Sequence, residues 1–139
     1  MRQVTILPAA TIGAAAAGVL SQVIDLPKDV LYLAVQSKFL YGSGGTNLKV
    51  WLQTSFDDGA TWRDIANHAF LLAALNKVST INLSVAMAAP AIVVSDGALA
   101  DDTIVQGLLG DRLRVKYTST GTYAGATSLQ VDLVFPEQE

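Results

Sequence analysis

Residues 112–117 read RLRVKY, with Leu113, Val115 and Tyr117 on one side of a period-two alternation and Arg112, Arg114 and Lys116 on the other. This is the pattern of a strand with one face on a core and one face in water. Working outward, the same alternation recurs. Leu48, Val50 and Leu52 oppose Lys49, Trp51 and Gln53, and Ile81, Leu83 and Val85 mark TINLSV. Leu129, Val131, Leu133 and Phe135 line one face of LQVDLVF. Upstream, VLYLAVQSKFLYG is apolar at Leu31, Leu33 and Val35 and opens after Pro27, whose missing N–H suits a strand boundary. Its glycine-rich end, YGSGGTN, predicts a hairpin loop or flexible tip leading to the next strand. No Lys-Ser/Thr pair and no helix follow it, so it does not fit a phosphate-binding loop.

Roughly seven or eight short strands separated by turns predict an all-β, antiparallel β-sandwich, jelly-roll or immunoglobulin-like. Two segments do not alternate. Residues 9–18, AATIGAAAAG, hold too few alanines between glycines for a stable helix. Residues 1–18 are therefore expected to be an extended N-terminal arm or edge segment, and residues 19–139 a single sandwich domain. Residues 86–108 carry Pro90, the Asp96-Gly97 turn signal and the Asp101-Asp102 pair. They predict a long excursion around a short strand at 91–94, a place where an assembly contact would sit.

The bulk numbers bound the function. A chain of 139 residues is one domain's worth. Hydrophobic residues make up 51 % and charged residues 15 %, with a mean hydropathy of +0.40 that is high for a soluble monomer and predicts surface covered by a partner. A net charge of −3 lacks the basic footprint of a nucleic-acid binder, so DNA and RNA are not expected as ligands. With no cysteine, disulfides and thiolate metal sites are excluded. The opening MRQVTILPAATIGAAAAGVLSQ superficially resembles a signal peptide, but Thr5, Pro8 and Thr11 interrupt its apolar run, and it is expected to be retained. No apolar run reaches the roughly 18 residues of a membrane-spanning helix.

Residues 53–66, QTSFDDGATWRDIA, contain S-x-D-x-G-x-T-W and are similar to the Asp-box of sialidases and related propeller enzymes. Physically, Ser55, Asp57, Gly59, Thr61 and Trp62 predict a turn held by side chains: Asp57 accepting backbone N–H bonds, Gly59 at positive φ, and Trp62 folded over the strands. In the sialidase-like families the motif lies away from the catalytic pocket, so the resemblance implies a turn and no reaction. One copy cannot build a propeller, which needs about four blades. Only Arg2, Arg63, Arg112 and Arg114 are available for a sialidase-type arginine cluster.

The remaining candidates are sparse. His68 is the only histidine, which limits any Ser-His-Asp or metal site to one imidazole, and a structural or surface role is expected. The pairs Asp57-Asp58 and Asp101-Asp102 lack calcium-loop spacing and read as turn caps, with no metal and no cofactor expected. Trp51, Trp62, Tyr41, Tyr117 and Tyr123 would serve a sugar platform only if exposed and coplanar; core or interface packing is expected instead.

Three stretches, at 32–70, 96–117 and 119–135, carry a further likeness through the Gly59-Ala60-Thr61-Trp62 turn, LLGDRLRVKY and TGTYAG. They resemble small virion structural proteins encoded in the head-gene region of tailed bacteriophages and prophages. That resemblance implies a non-enzymatic capsid decoration or minor capsid protein, located in the virion and assembled in the host cytoplasm. Its expected partners are the major capsid protein and further copies of itself, with a trimer favoured by shell symmetry. Ile12, Val19, Leu20, Tyr41 and Tyr123 are the candidate interface residues. A neck or tail-completion ring, and from a different class a carbohydrate-binding module, are the alternatives.

Overall fold

A computed structural model describes residues 2–27, 30–82 and 91–135, and among these residues there is no helix. The alternating segments form the strands β1 (Arg2–Thr11), β2 (Ala16–Leu20), β3 (Ile24–Asp25), β4 (Tyr32–Leu40), β5 (Ser43–Gly44), β6 (Asn47–Ser55), β7 (Arg63–Phe70), β8 (Leu75–Asn82), β9 (Arg112–Thr120), β10 (Tyr123–Ala124) and β11 (Ser128–Phe135). Two antiparallel sheets pack face to face. The first runs β1-β11-β4-β8 and the second β2-β9-β6-β7, with β3 continuing the β2 edge along β9.

Every link between the long strands crosses from one sheet to the other except β6 to β7, which is a hairpin. An immunoglobulin sandwich keeps several consecutive strands together in one sheet. Here the order and the repeated crossing are those of an eight-stranded jelly roll. The glycine-rich link 41–46 is accordingly a crossover and not the hairpin its sequence predicts, because β4 and β6 belong to different sheets.

The core lies between the sheets. Leu48, Val50 and Leu52 of β6 and Leu113, Val115 and Tyr117 of β9 meet Leu33, Val35 and Phe39 of β4 and Leu129, Val131, Leu133 and Phe135 of β11. At roughly 25 cal/mol per Å² of apolar area, each such large side chain contributes about 2 kcal/mol on burial. Leu31, expected inward, precedes β4 and is exposed. Leu83 and Val85 lie outside the described residues.

Residues 2–20 are the edge strands of the two sheets and not a projecting arm. β1 pairs with β11, the chain crosses at Gly13, and β2 pairs with β9. Burial holds them there: Ile6, Leu7 and Ile12 are core residues. No short strand exists at 91–94, which joins no ladder among the described residues. The expected wet face also fails on β6. Trp51 and Gln53 point away from the core yet are buried, because the excursion from residue 95 onward lies over them.

Both crossovers at one end of the sandwich, 41–46 and 121–127, pair with each other through β5 and β10. Their approach requires glycine. Gly45 has φ 76° and its missing Cβ leaves room for the Tyr123 ring, while a Cβ on Gly42 would overlap the Gly125 carbonyl. Gly45→Ala is expected to destabilise the fold by about 2 kcal/mol or more, read as a lower urea midpoint at unchanged slope.

Candidate functional site

The 55–62 turn is closed by its own side chains. Ser55 Oγ accepts from Gly59 N (2.8 Å) and donates to Asp57 Oδ1 (2.9 Å). Asp57 also accepts from Thr61 N (2.9 Å) and Thr61 Oγ1 (2.7 Å), bonds that hold its carboxyl at about 2. Asp58 and Gly59 have φ values of 57° and 91°, the left-handed pair that an Asp-Gly hairpin turn favours. Trp62 Nε1 donates to the Gly59 carbonyl (3.1 Å), and the Arg114 guanidinium stacks 4.4 Å above the Trp62 ring.

Beside this turn sits a carboxylate the sequence does not advertise. Asp64, buried at the start of β7, accepts from Gly97 N, Ala98 N and Leu99 N at 2.8–3.1 Å, from Ser95 Oγ (2.8 Å) and from Gln53 Nε2 (2.8 Å). Its own N–H donates to the Ser95 carbonyl (2.8 Å). Successive backbone N–H groups converging on one anion form a nest. This latch draws residues 95–102 across the outer face of β6 and β7, where Trp51 Nε1 donates to the Leu99 carbonyl (3.0 Å) and Asn67 accepts from Asp102 N (3.0 Å). Asp96 completes the seam. Burial opposes its charge, but hydrogen bonds from Lys116 and Gln53 hold its carboxyl below the usual range.

His68 faces the interior, its Nδ1 2.8 Å from Ser37 Oγ and its Nε2 2.8 Å from Ser79 Oγ, so it bridges the two sheets. Burial holds the imidazole at about 4, Asp102 working against that effect and Lys77 with it. Both ring nitrogens are occupied by serines, and Ser37 is buried, so no carboxylate orients the ring and no substrate reaches the Ser37 hydroxyl. Asp102 instead pairs with Lys77 (2.9 Å) and accepts from Ala69 N (3.0 Å). Among the described residues no group of acidic and histidine side chains is placed to hold a metal ion, and no buried side-chain nitrogen or oxygen lacks a partner.

The candidate platform rings are turned inward, whereas Phe56 and Tyr32 are exposed. Trp51, Trp62, Tyr117 and Tyr123 are buried, and Tyr41 is half-buried with its hydroxyl donating to the Gly44 carbonyl (2.9 Å). Tyr123 meets Phe39 and Tyr41 edge-on, at 85° and 88°, so these rings offer no coplanar exposed pair. Of the candidate interface positions, Ile12 and Tyr123 are core residues and unavailable to a partner, Val19 and Tyr41 pack partly against the core, and Leu20 is exposed.

The open surface lies elsewhere. Leu71, Leu72 and Leu75 around the β7–β8 turn, with Leu40 and Val78 nearby, are all exposed and form an apolar rim. Two grooves of about 340 and 320 Å³ flank it, the first between Leu71, Leu72, Leu75, Lys77 and Asp102, the second between Leu40, Ala74 and Asn76. The signal for it was the unbroken run FLLAAL at 70–75, which alternates nowhere and falls in a turn. No protein-family model, no curated protein and no solved structure matches this chain.

Two outcomes follow from the latch and the histidine. Asp64→Asn is expected to cost about 2 to 3 kcal/mol, to strip exchange protection from the amides of Gly97, Ala98 and Leu99, and to red-shift the fluorescence of Trp51. For His68, the folded state binds a proton less readily than the unfolded chain, so its contribution is complete above about 6.5 and is lost as pH falls toward about 4. After discounting for solvent screening this amounts to on the order of 2 kcal/mol. The melting temperature should fall across that window, and His68→Gln should flatten that part of the profile.

Proposed function

We propose that this chain is a non-enzymatic structural protein of a tailed-phage virion, a decoration or minor capsid protein that binds and reinforces the major capsid shell. The observation that carries this reading is the apolar rim of Leu40, Leu71, Leu72 and Leu75, exposed on a domain whose polar interior groups are engaged with one another. A contiguous apolar surface of this kind marks a protein contact. The likeness of the 59–62 turn, LLGDRLRVKY and TGTYAG to phage head-region proteins gives the contact its partner. The jelly roll is compatible, being an architecture shared by viral capsid domains, lectins and cupins. Of these, a lectin-like role is the less supported, because the candidate stacking rings Trp51, Trp62, Tyr117 and Tyr123 are turned into the domain.

The test is co-expression with the major capsid protein encoded in the same genome, followed by sedimentation of the shells. The chain should travel with the shells in fixed stoichiometry, and Leu72→Asp, folded by circular dichroism, should reduce its recovery about tenfold or more. A wild-type chain that stays in the supernatant, or a Leu72→Asp variant that sediments as well as wild type, would overturn the reading.

A further inference from the structure

The sandwich has four edges, and three are protected in ways that strand edges commonly are. β1 carries Pro8 and two register shifts against β11. The β2–β3 edge is short, irregular at Gly18 and broken before β3. On β7, Asn67 N donates to the Thr103 carbonyl and Val105 N to the Ile65 carbonyl, so residues 103–105 cover the edge. Among the described residues, the fourth edge, β8, is covered only over its second half, where Gly107 N donates to the Asn82 carbonyl, Gln106 Nε2 to the Thr80 carbonyl, and Asn82 N to Gln106 Oε1.

That cover identifies which groups face outward. Residues of even number in β8 turn their backbone away from β4, and by the same parity those of Asn76 and Val78 point outward. No described group bonds them. Beside them runs a groove of about 270 Å³ lined by His68, Lys77, Val78, Ser79 and Asp102, and Val78 is 60 % exposed. This is an acceptor for one more strand.

A matching donor lies on the same chain. Residues 91–94, Ala-Ile-Val-Val, have strand-forming composition and pair with nothing described, and Val93 is 96 % exposed. Their downstream end is fixed, since Ser95 is held by Asp64. Asp64 is the second residue of β7, whereas the acceptor lies at the other end of that strand, where Lys77 Nζ donates to the Ala69 carbonyl. Five residues of strand separate the two, about 16 Å. Donor and acceptor therefore occupy opposite ends of one side of the domain.

We infer that residues 91–94 of one copy add as a strand to the open β8 edge of the next copy, beside Asn76 and Val78, in a head-to-tail contact. Main-chain bonds to Asn76 and Val78 supply register, and the β-branched side chains cover Val78 and the groove. Such a contact is heterologous and closes into a ring where the rotation permits. It goes beyond the virion reading and does not depend on it, because self-association is measured on the purified chain alone.

The chain has no cysteine, which makes a cross-linking test clean. Val78→Cys and Val93→Cys single variants, mixed and oxidised, should form a mixed dimer that neither forms alone, and the double variant should form a ladder. Val78→Pro removes an outward N–H while sparing the β4 ladder, and should raise the self-dissociation constant about tenfold or more with the melting transition retained. A wild-type chain that is monomeric by light scattering at about 100 μM, weaker than any specific assembly contact of interest, would overturn the inference. So would an oxidised mixture without mixed dimer, or Val93→Cys cross-linking to itself in preference to Val78→Cys.

Discussion

The buried carboxylate of Asp64 decides how one side of this molecule is closed. Charge-assisted bonds to backbone N–H groups are about twice as strong as neutral ones, and here three converge with a serine hydroxyl on a group already out of water. Without them, residues 95–102 would have no reason to cross the outer face of β6 and β7, and Trp51 would stand in solvent. With them, the chain arrives at 103–107 in position to cover β7 and the far half of β8. The same latch fixes where 91–94 emerges, while no described residue pairs with the near half of β8. Closed and open surfaces thus share one origin.

His68 plays the corresponding part inside the sandwich. It is placed by β7, faces Ser37 and Ser79 of the opposite sheet, and gives the buried Ser37 hydroxyl and the half-buried Ser79 hydroxyl a partner. A half-satisfied polar cluster at this depth would cost more than an apolar one. Satisfied, it locks the sheets in one relative position through directional bonds that the surrounding aliphatic side chains cannot provide.

The sequence made the inner faces of the strands readable because a period of two survives wherever one face meets the core: Leu113, Val115 and Tyr117 show it, as do Leu129, Val131 and Leu133. It did not show what buries Trp51 and Gln53, since their cover comes from a segment more than forty residues away in the chain. Nor did it separate a hairpin from a crossover at YGSGGTN, because glycines permit either and the difference lies in which strand the chain finds next. The side chains of the 55–62 turn were legible because they act locally. Asp64 was not, because the groups it gathers lie at 95–99, and the choice between interface and core for Ile12 and Tyr123 needed the same long-range information.

The repeated crossing between sheets has a further consequence. Apart from the β6–β7 hairpin, no pair of consecutive long strands lies in one sheet, so neither sheet can be assembled, or taken apart, without the other. Partial unfolding would strand hydrogen-bonding edges and apolar faces together, which makes intermediates costly and the transition all-or-none. The slow closure of so many distant pairings is the kinetic counterpart. Once formed, the two sheets present proteases with few strands that can open alone, a form of durability that comes from topology and not from any one bond.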